Sequence, residues 1–249
     1  MAARTRVWLR TAAIVAGLIA LLPLHGIWRL FRRRSPWPRA FLAWVGRAAG
    51  MRVHIVGAPL PSRVLIVSNH VSWLDIMVVA GATGAAFVSK DDVAGWPVIG
   101  WLASLNNTVF IARTERKAVR GQADQLREAL LKNQPVALFP EGTTGDGRTV
   151  LPFRASLLAA VAPPPPGVML QPVAIDYGAA TDEIAWTGDE SAGANAKRVL
   201  SRPGKAVVTL HVLPPFDPAE TPDRKLLAER ARAAIVAALG ASVAPADAL

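Results

Sequence analysis

The chain has 249 residues, 52% of them hydrophobic, with no cysteine and a formal net charge of +10. That length admits one large α/β domain or two small ones, and the absence of cysteine excludes thiol nucleophiles, thiolate metal centres and disulfides. The four histidines (His25, His54, His70, His211) share no HxxxH or HExxH spacing, so no metal site is expected.

The charge is unevenly placed. Eleven arginines and no lysine or acid occur before Asp75, whereas the rest of the chain holds 17 cations against 18 acids. A basic amino-terminal third that is also rich in Leu, Ile, Val and Trp points to an anionic lipid surface and away from nucleic acid. Thr11 to Trp28 carries no charge and would span about 27 Å as a helix at about 1.5 Å per residue, near the thickness of a hydrocarbon core. Pro23 and His25 weaken its far end. No small-x-small cleavage site follows, and Arg32-Arg33-Arg34 does not suit an exported chain. A second helix is expected over Trp37 to Ala49, and Trp28, Trp37 and Trp44 are residues that settle at headgroup depth. Residues 1–50 are therefore expected to be a helical, hydrophobic and basic membrane anchor.

Arg52 to Val56 and Arg63 to Ser68 read as strands around the proline-containing turn Gly57 to Ser62. A helix starts at Asp75, Ala85 to Val88 is a short strand, and Trp96 to Asn106 has helical spacing of Trp96, Ile99, Leu102 and Leu105, with Pro97 in its first turn. Thr108 to Ile111 and Pro135 to Phe139 read as strands on either side of an amphipathic helix, Arg116 to Leu131. Val168 to Ile175 and Ala206 to Val212 are later strands, Lys225 to Leu239 a closing helix and 241–249 a flexible tail. Strand and helix alternate throughout, which gives an α/β class, with 51–240 as one domain.

Candidate chemistry sits where strands end. His70 follows the buried run Val64 to Val67, and Asp75 lies five residues on, where a turn entering a helix would fold its carboxylate back onto one imidazole nitrogen and leave the other as a base. A satisfied histidine beside a capping aspartate would give the same pattern. Pro140 to Gly147 follows another strand, and its small residues let backbone amides approach a ligand closely. There is no Gly-x-Ser-x-Gly elbow, so neither a serine nor a thiol acyl-enzyme has an evident carrier.

Four stretches, in order, resemble the blocks of the glycerolipid acyltransferase family, membrane-associated enzymes typified by bacterial 1-acylglycerol-3-phosphate acyltransferase. Asn69-His70-Val71-Ser72-Trp73-Leu74-Asp75 is similar to its His-x4-Asp block, and Asn107 to Arg113 to a Phe-Ile strand ending in arginine. Phe139-Pro140-Glu141-Gly142-Thr143 and Leu170 to Ile175 resemble the third and fourth. The resemblance implies a single domain with a central mixed sheet flanked by helices. It implies His70 as general base on the acceptor's hydroxyl, Asp75 as its orienting partner, and no acyl-enzyme. Arg113, Glu141, Gly142 and Thr143, with Lys90 and Arg154, would bind substrate. No cofactor is implied beyond acyl-CoA or acyl carrier protein as co-substrate. The expected acceptor is 1-acylglycerol 3-phosphate, giving phosphatidic acid, at the cytoplasmic side of the inner membrane. Thr144 stands where many members carry arginine, and Asn107, Ala112 and Ser156 also depart from the pattern. With one cation fewer, a lyso-ornithine lipid is the alternative acceptor, and a non-enzymatic membrane scaffold of the same fold is the alternative outside catalysis.

Overall fold

Short uncharged runs rich in β-branched residues form the sheet, and amphipathic or wholly apolar segments form the helices on it. The computed structural model describes residues 2–31, 35–111, 118–132, 134–221, 223–240 and 242–243. In chain order these form α1 (Ala3–Leu30), α2 (Trp37–Ala48), β1 (Met51–Val56), β2 (Val64–Ser68), α3 (Leu74–Thr83), β3 (Ala86–Lys90), α4 (Pro97–Leu105) and β4 (Val109–Ile111). They continue with α5 (Ala118–Leu131), β5 (Val136–Leu138), β6 (Thr149–Val150), β7 (Met169–Asp176), α6 (Thr181–Ile184), α7 (Ala192–Ser201), β8 (Ala206–Val212), α8 (Arg224–Leu239) and β9 (Ser242–Val243).

Seven strands make a mixed sheet in the order β1-β8-β7-β2-β5-β3-β4. Strands β7, β2, β5, β3 and β4 run parallel, β8 is antiparallel to β7, and β1 is parallel to β8. The carboxyl ends of the five central and far strands therefore lie at the same end of the sheet as the amino ends of β1 and β8.

All five residues of β2 are buried because helices cover both faces. Its side chains alternate: Val64 and Ile66 join Leu74 and Val78 of α3 in one core layer. Leu65 and Val67 join Leu126 and Leu130 of α5 and Leu227 and Ile235 of α8 in the other. Replacing one of these large side chains with alanine should cost about 2 to 5 kcal/mol.

The first two helices form an antiparallel hairpin. Trp44 Nε1 donates to Ala13 O at 2.7 Å, and Trp28 meets Trp37 edge-on at 6.5 Å between ring centroids. Both ends of the hairpin sit on the domain. Arg10 donates to Val199 O, Leu200 O and Gly204 O, completing carbonyls at the end of α7, and Arg6 donates to Ser201 O. Helix α2 packs on α3 so closely that a Cβ on Gly81 would stand 2.7 Å from Ala43 Cα. Along α1 the apolar window long enough to cross a membrane is only 6% buried.

Several elements differ from the sequence reading. Helix α1 passes through Pro23 and ends at Leu30, since loss of one N–H in a long helix is absorbed by its neighbours, and His25 Nδ1 is hydrogen-bonded to Ser35 Oγ across the turn. The strands flanking Gly57 to Ser62 are not neighbours; β8 and β7 lie between them. Helices α6 and α7 fall in a stretch where no element is expected from sequence. Ser242–Val243 pairs in parallel with Thr149–Val150, so a strand lies within the expected tail, whose residues 241 and 244–249 are outside the described residues.

Candidate active site

Strand β2 ends in the middle of the sheet, and Asn69 extends its pairing through a side chain. The Asn69 Oδ1 accepts from Ile175 N at 2.8 Å and its Nδ2 donates to Ile175 O at 3.0 Å. This clamp fixes the chain as it leaves the sheet, so His70 emerges in one place. The next turn closes on Asp75 in the first turn of α3. Asp75 Oδ2 accepts from Val71 N at 2.6 Å, from Ser72 N at 2.8 Å and from His70 Nδ1 at 2.7 Å. Its Oδ1 accepts from Tyr177 Oη at 2.7 Å. An acid at a helix start meets unpaired backbone donors and the positive end of the helix dipole.

Asp75 is fully buried and the His70 side chain is 18% exposed. The carboxylate can only accept, so Nδ1 carries the imidazole proton and Nε2 presents its lone pair. Among the described residues Nε2 has no hydrogen-bond partner. The ring is also stacked on Phe139, 4.0 Å between centroids and 5° from coplanar, with Phe87 behind it at 5.4 Å. Rotation of the imidazole is thus blocked by a wall on one side and by Asp75 at its edge. The arrangement can take a proton from a hydroxyl placed at Nε2 and stabilise the imidazolium that forms.

The backbone of His70 is held by the loop after β5. Glu141 Oε1 accepts from His70 N at 2.8 Å, Glu141 Oε2 accepts from Leu151 N at 3.1 Å, and Gly145 N donates to His70 O at 2.7 Å. Glu141 is 1% exposed. Burial pushes its carboxyl up to about 8 against the lowering effect of its two backbone donors, and Asp75 adds to the rise. Glu141 therefore reaches the site through the peptide that carries His70.

Thr143 and Arg154 face outward at the other side of the same loop. Gly142 has φ of +76°, and a Cβ there would stand 2.9 Å from Arg154 Nε, so the guanidinium lies directly over this backbone. Thr144 Oγ1 donates to Trp186 O at 2.5 Å, which ties the loop to the segment before α7. Of the residues expected from sequence, His70, Asp75 and Glu141 are brought together, with Gly142, Thr143 and Arg154 beside them. Lys90 is the last residue of β3, with its side chain outside the described set, and Arg113 is outside the described residues altogether. Tyr177 is a contributor that sequence reasoning missed, and Asn69 and Phe139 were read only as members of the matched stretches, with no role of their own. Tyr177 is the chain's single tyrosine and directly follows β7, a signal that could have drawn attention to it.

Residues 52–176, a span that takes in the whole His70–Asp75–Glu141–Tyr177 neighbourhood except Tyr177 itself, match the family model described as Acyltransferase. The chain belongs to the PlsC-like glycerolipid acyltransferase family. A lyso-ornithine lipid O-acyltransferase of Rhodobacter capsulatus is 37% identical to it over 96% of this chain and 92% of its own. A 1-acyl-sn-glycerol-3-phosphate acyltransferase of Neisseria gonorrhoeae is 38% identical over 41% of each chain. The crystal structure of the 1-acyl-sn-glycerophosphate acyltransferase PlsC from Thermotoga maritima superimposes with a TM-score of 0.64 over 96% of both chains at 23% identity, a likeness of fold. In this acyltransferase, then, the expected mixed sheet flanked by helices is present, and the His/Asp pair closes as the sequence spacing suggested.

Proposed function

We propose that the protein transfers a fatty acyl group from a thioester, acyl-CoA or acyl carrier protein, to the free hydroxyl of a lyso-ornithine lipid. The carrying observation is the buried Asp75 carboxylate on His70 Nδ1, which leaves Nε2 as the base. In the reaction His70 Nε2 takes the hydroxyl proton as the acceptor oxygen bonds to the thioester carbonyl carbon. The carbon–sulfur bond then breaks, and the departing thiolate takes the proton back from the imidazolium. No residue is acylated. Phe139 and the Glu141 loop hold the ring and its peptide in place, while Arg154, Thr143 and, by resemblance, Arg113 and Lys90 bind the polar head of the acceptor.

The choice of acceptor departs from the sequence expectation of 1-acylglycerol 3-phosphate. It is supported by the relative named for lyso-ornithine lipid, which aligns over nearly its full length, and by Thr144, which supplies a tether where a cation would favour a phosphate. The Neisseria likeness keeps 1-acylglycerol 3-phosphate as the second reading. We place the α1–α2 hairpin in the inner membrane from its cytoplasmic side. Arg6 and Arg10 hold the start of α1 on the domain, and Arg39 and Ala43 hold α2 along α3, so the exposed face of α1 is the part that enters the bilayer. Membranes containing the protein, given labelled acyl donor and each acceptor separately, should form diacylated ornithine lipid fastest. Transfer to neither acceptor would refute the proposal.

A further inference from the structure

Helix α4 is the most exposed apolar element of the domain outside the hairpin. Trp96 is 47% exposed, Val98 58%, Ile99 50% and Trp101 45%. No charged residue occurs from Val93 to Leu105, and the nearest in sequence, Asp91 and Asp92, belong to the turn before it. The sequence spacing places Trp96, Ile99, Leu102 and Leu105 on one face, yet only Leu102 and Leu105 are half-buried, and the first turns point out. Gly100 is buried against the preceding turn, where a Cβ would stand 2.3 Å from Ala94 O, so the helix is seated tightly on its other side. A contiguous face of this kind on a soluble monomer marks something that covers it.

The topology says where that cover lies. Helix α4 leaves the carboxyl end of β3, and its exposed residues are those of its first turns, nearest the end of the sheet where His70, Asp75 and Glu141 gather. The hairpin is rooted at the same end, beside the amino ends of β1 and β8, through Arg10 at Gly50 and Gly204. In the sheet order β1 and β4 are the two edges and β2, which carries His70, is in the centre. The root of the hairpin, where Trp8 and Leu9 are exposed, therefore flanks the catalytic end on one edge and α4 flanks it on the other, while α2 runs along α3 with Arg39 at the carboxyl end of that helix. Between α2, α3 and the edge strand β1, Arg39, Arg47, Arg52 and Lys205 line one cleft that contains no acid and reaches the hairpin root at Arg47 and Met51. Among the described residues Arg47, Arg52 and Lys205 make no ion pair.

We propose that the first turns of α4 are a second bilayer contact, inserted at headgroup depth through Trp96, Val98, Ile99 and Trp101, so that the catalytic end of the sheet faces the membrane with His70 between two footholds. Tryptophan with aliphatic neighbours and no charge suits the interfacial layer, and the basic cleft on the opposite edge meets anionic headgroups. A second copy of the chain docking on this end would bring those unpaired cations together, whereas an anionic lipid surface neutralises them. Both substrates of the proposed reaction carry acyl chains, so a site that faces the bilayer receives the acceptor without extracting it fully into water. The inference rests on the membrane reading of the hairpin and goes beyond it.

The chain has no cysteine, so a single introduced thiol can be labelled without background. Full-length Val98→Cys and Ile27→Cys, each carrying an environment-sensitive fluorophore, are mixed with vesicles of phosphatidylcholine and phosphatidylglycerol. The Ile27 probe reports hairpin insertion on its own. A blue shift and quenching by lipid-borne quenchers at both positions is expected. A probe at position 98 that stays in water while that at 27 inserts overturns the α4 contact and leaves the hairpin reading standing; water at both overturns both. In a second arm, Val98→Glu/Ile99→Glu should lower kcat/KM at least tenfold for vesicle-borne acceptor and leave that for a short-chain acceptor below its micellar concentration within twofold. Equal losses on the two would make α4 a wall of the substrate channel and refute the membrane contact, and a concentration-dependent dimer lost in the variant would assign the face to a second copy.

Discussion

Asp75→Asn isolates charge from shape. Asparagine can turn its oxygen to the three donors that meet Asp75 Oδ2 and its Nδ2 toward Tyr177 Oη, which reverses its role from donor to acceptor. The fold is then kept and the negative charge is lost. With Nδ1 and Oδ2 2.7 Å apart the charge centres of imidazolium and carboxylate are separated by about 4 Å, which at an effective dielectric of about 20 is worth about 4 kcal/mol. At about 1.4 kcal/mol per decade, kcat should fall about a thousandfold, close to the roughly 10⁴ that the same change costs in a serine protease triad. Steady-state assays with saturating thioester and varied lyso-lipid should show the loss in kcat, with KM for both substrates within about threefold. Circular dichroism controls for folding. A folded Asp75→Asn enzyme with more than a tenth of wild-type kcat would refute the electrostatic role.

Tyr177→Phe removes the one bond to Asp75 Oδ1 among the described residues and should lower kcat about tenfold without changing either KM, a loss that should shrink in the Asp75→Asn background because the two share one interaction. Glu141 makes stability depend on pH. Its folded value near 8 lies above that of the unfolded chain, so folding retains a proton that the unfolded chain has released between about pH 4.5 and 8, and stability falls across that window by up to about 1.4 kcal/mol per pH unit. Urea unfolding in micelles at pH 5, 6, 7 and 8 should show that decline, and Glu141→Gln should flatten it; parallel profiles would count against a protonated Glu141. Arg154→Ala should raise KM for the lyso-lipid several-fold and leave that for the donor nearly unchanged, in assays that vary each substrate in turn. Gly81→Val must displace Ala43 at the α2–α3 crossing, and thermal melting should drop by several degrees, with the hairpin more open to protease.

The legible parts of the sequence were those set by local chemistry. Val64 to Ser68 is apolar on both faces because it is central, and that is visible in the residues themselves. The five-residue step from His70 to Asp75 already implies the turn, since only a helix start brings backbone donors and the imidazole to one carboxylate. The inward facing of Glu141 was not legible, because its oxygens are taken by amides that only the fold brings there, His70 N from 71 residues away and Leu151 N across the loop. Tyr177 was hidden for the same reason: 102 residues separate it from the aspartate it bonds. Helix α6 is a single turn of four residues and α7 is short, with only Asn195 and Val199 fully buried, and their positions follow from Arg198 bonding to Glu190 and to carbonyls at Glu183 and Ala185. Strand order was beyond local reading too, because β1 and β2 adjoin in sequence yet are kept apart by strands from the chain's last third.

The central claim is that His70 Nε2 takes the proton from the acceptor hydroxyl. Its most direct test is the kcat of full-length His70→Ala in vesicles with labelled thioester donor and lyso-ornithine lipid, alongside flotation to measure membrane binding. The variant should float as wild type does, because the hairpin and α4 are untouched, and its kcat should fall at least a thousandfold. A membrane-bound His70→Ala enzyme that retains even a tenth of wild-type turnover would contradict the account.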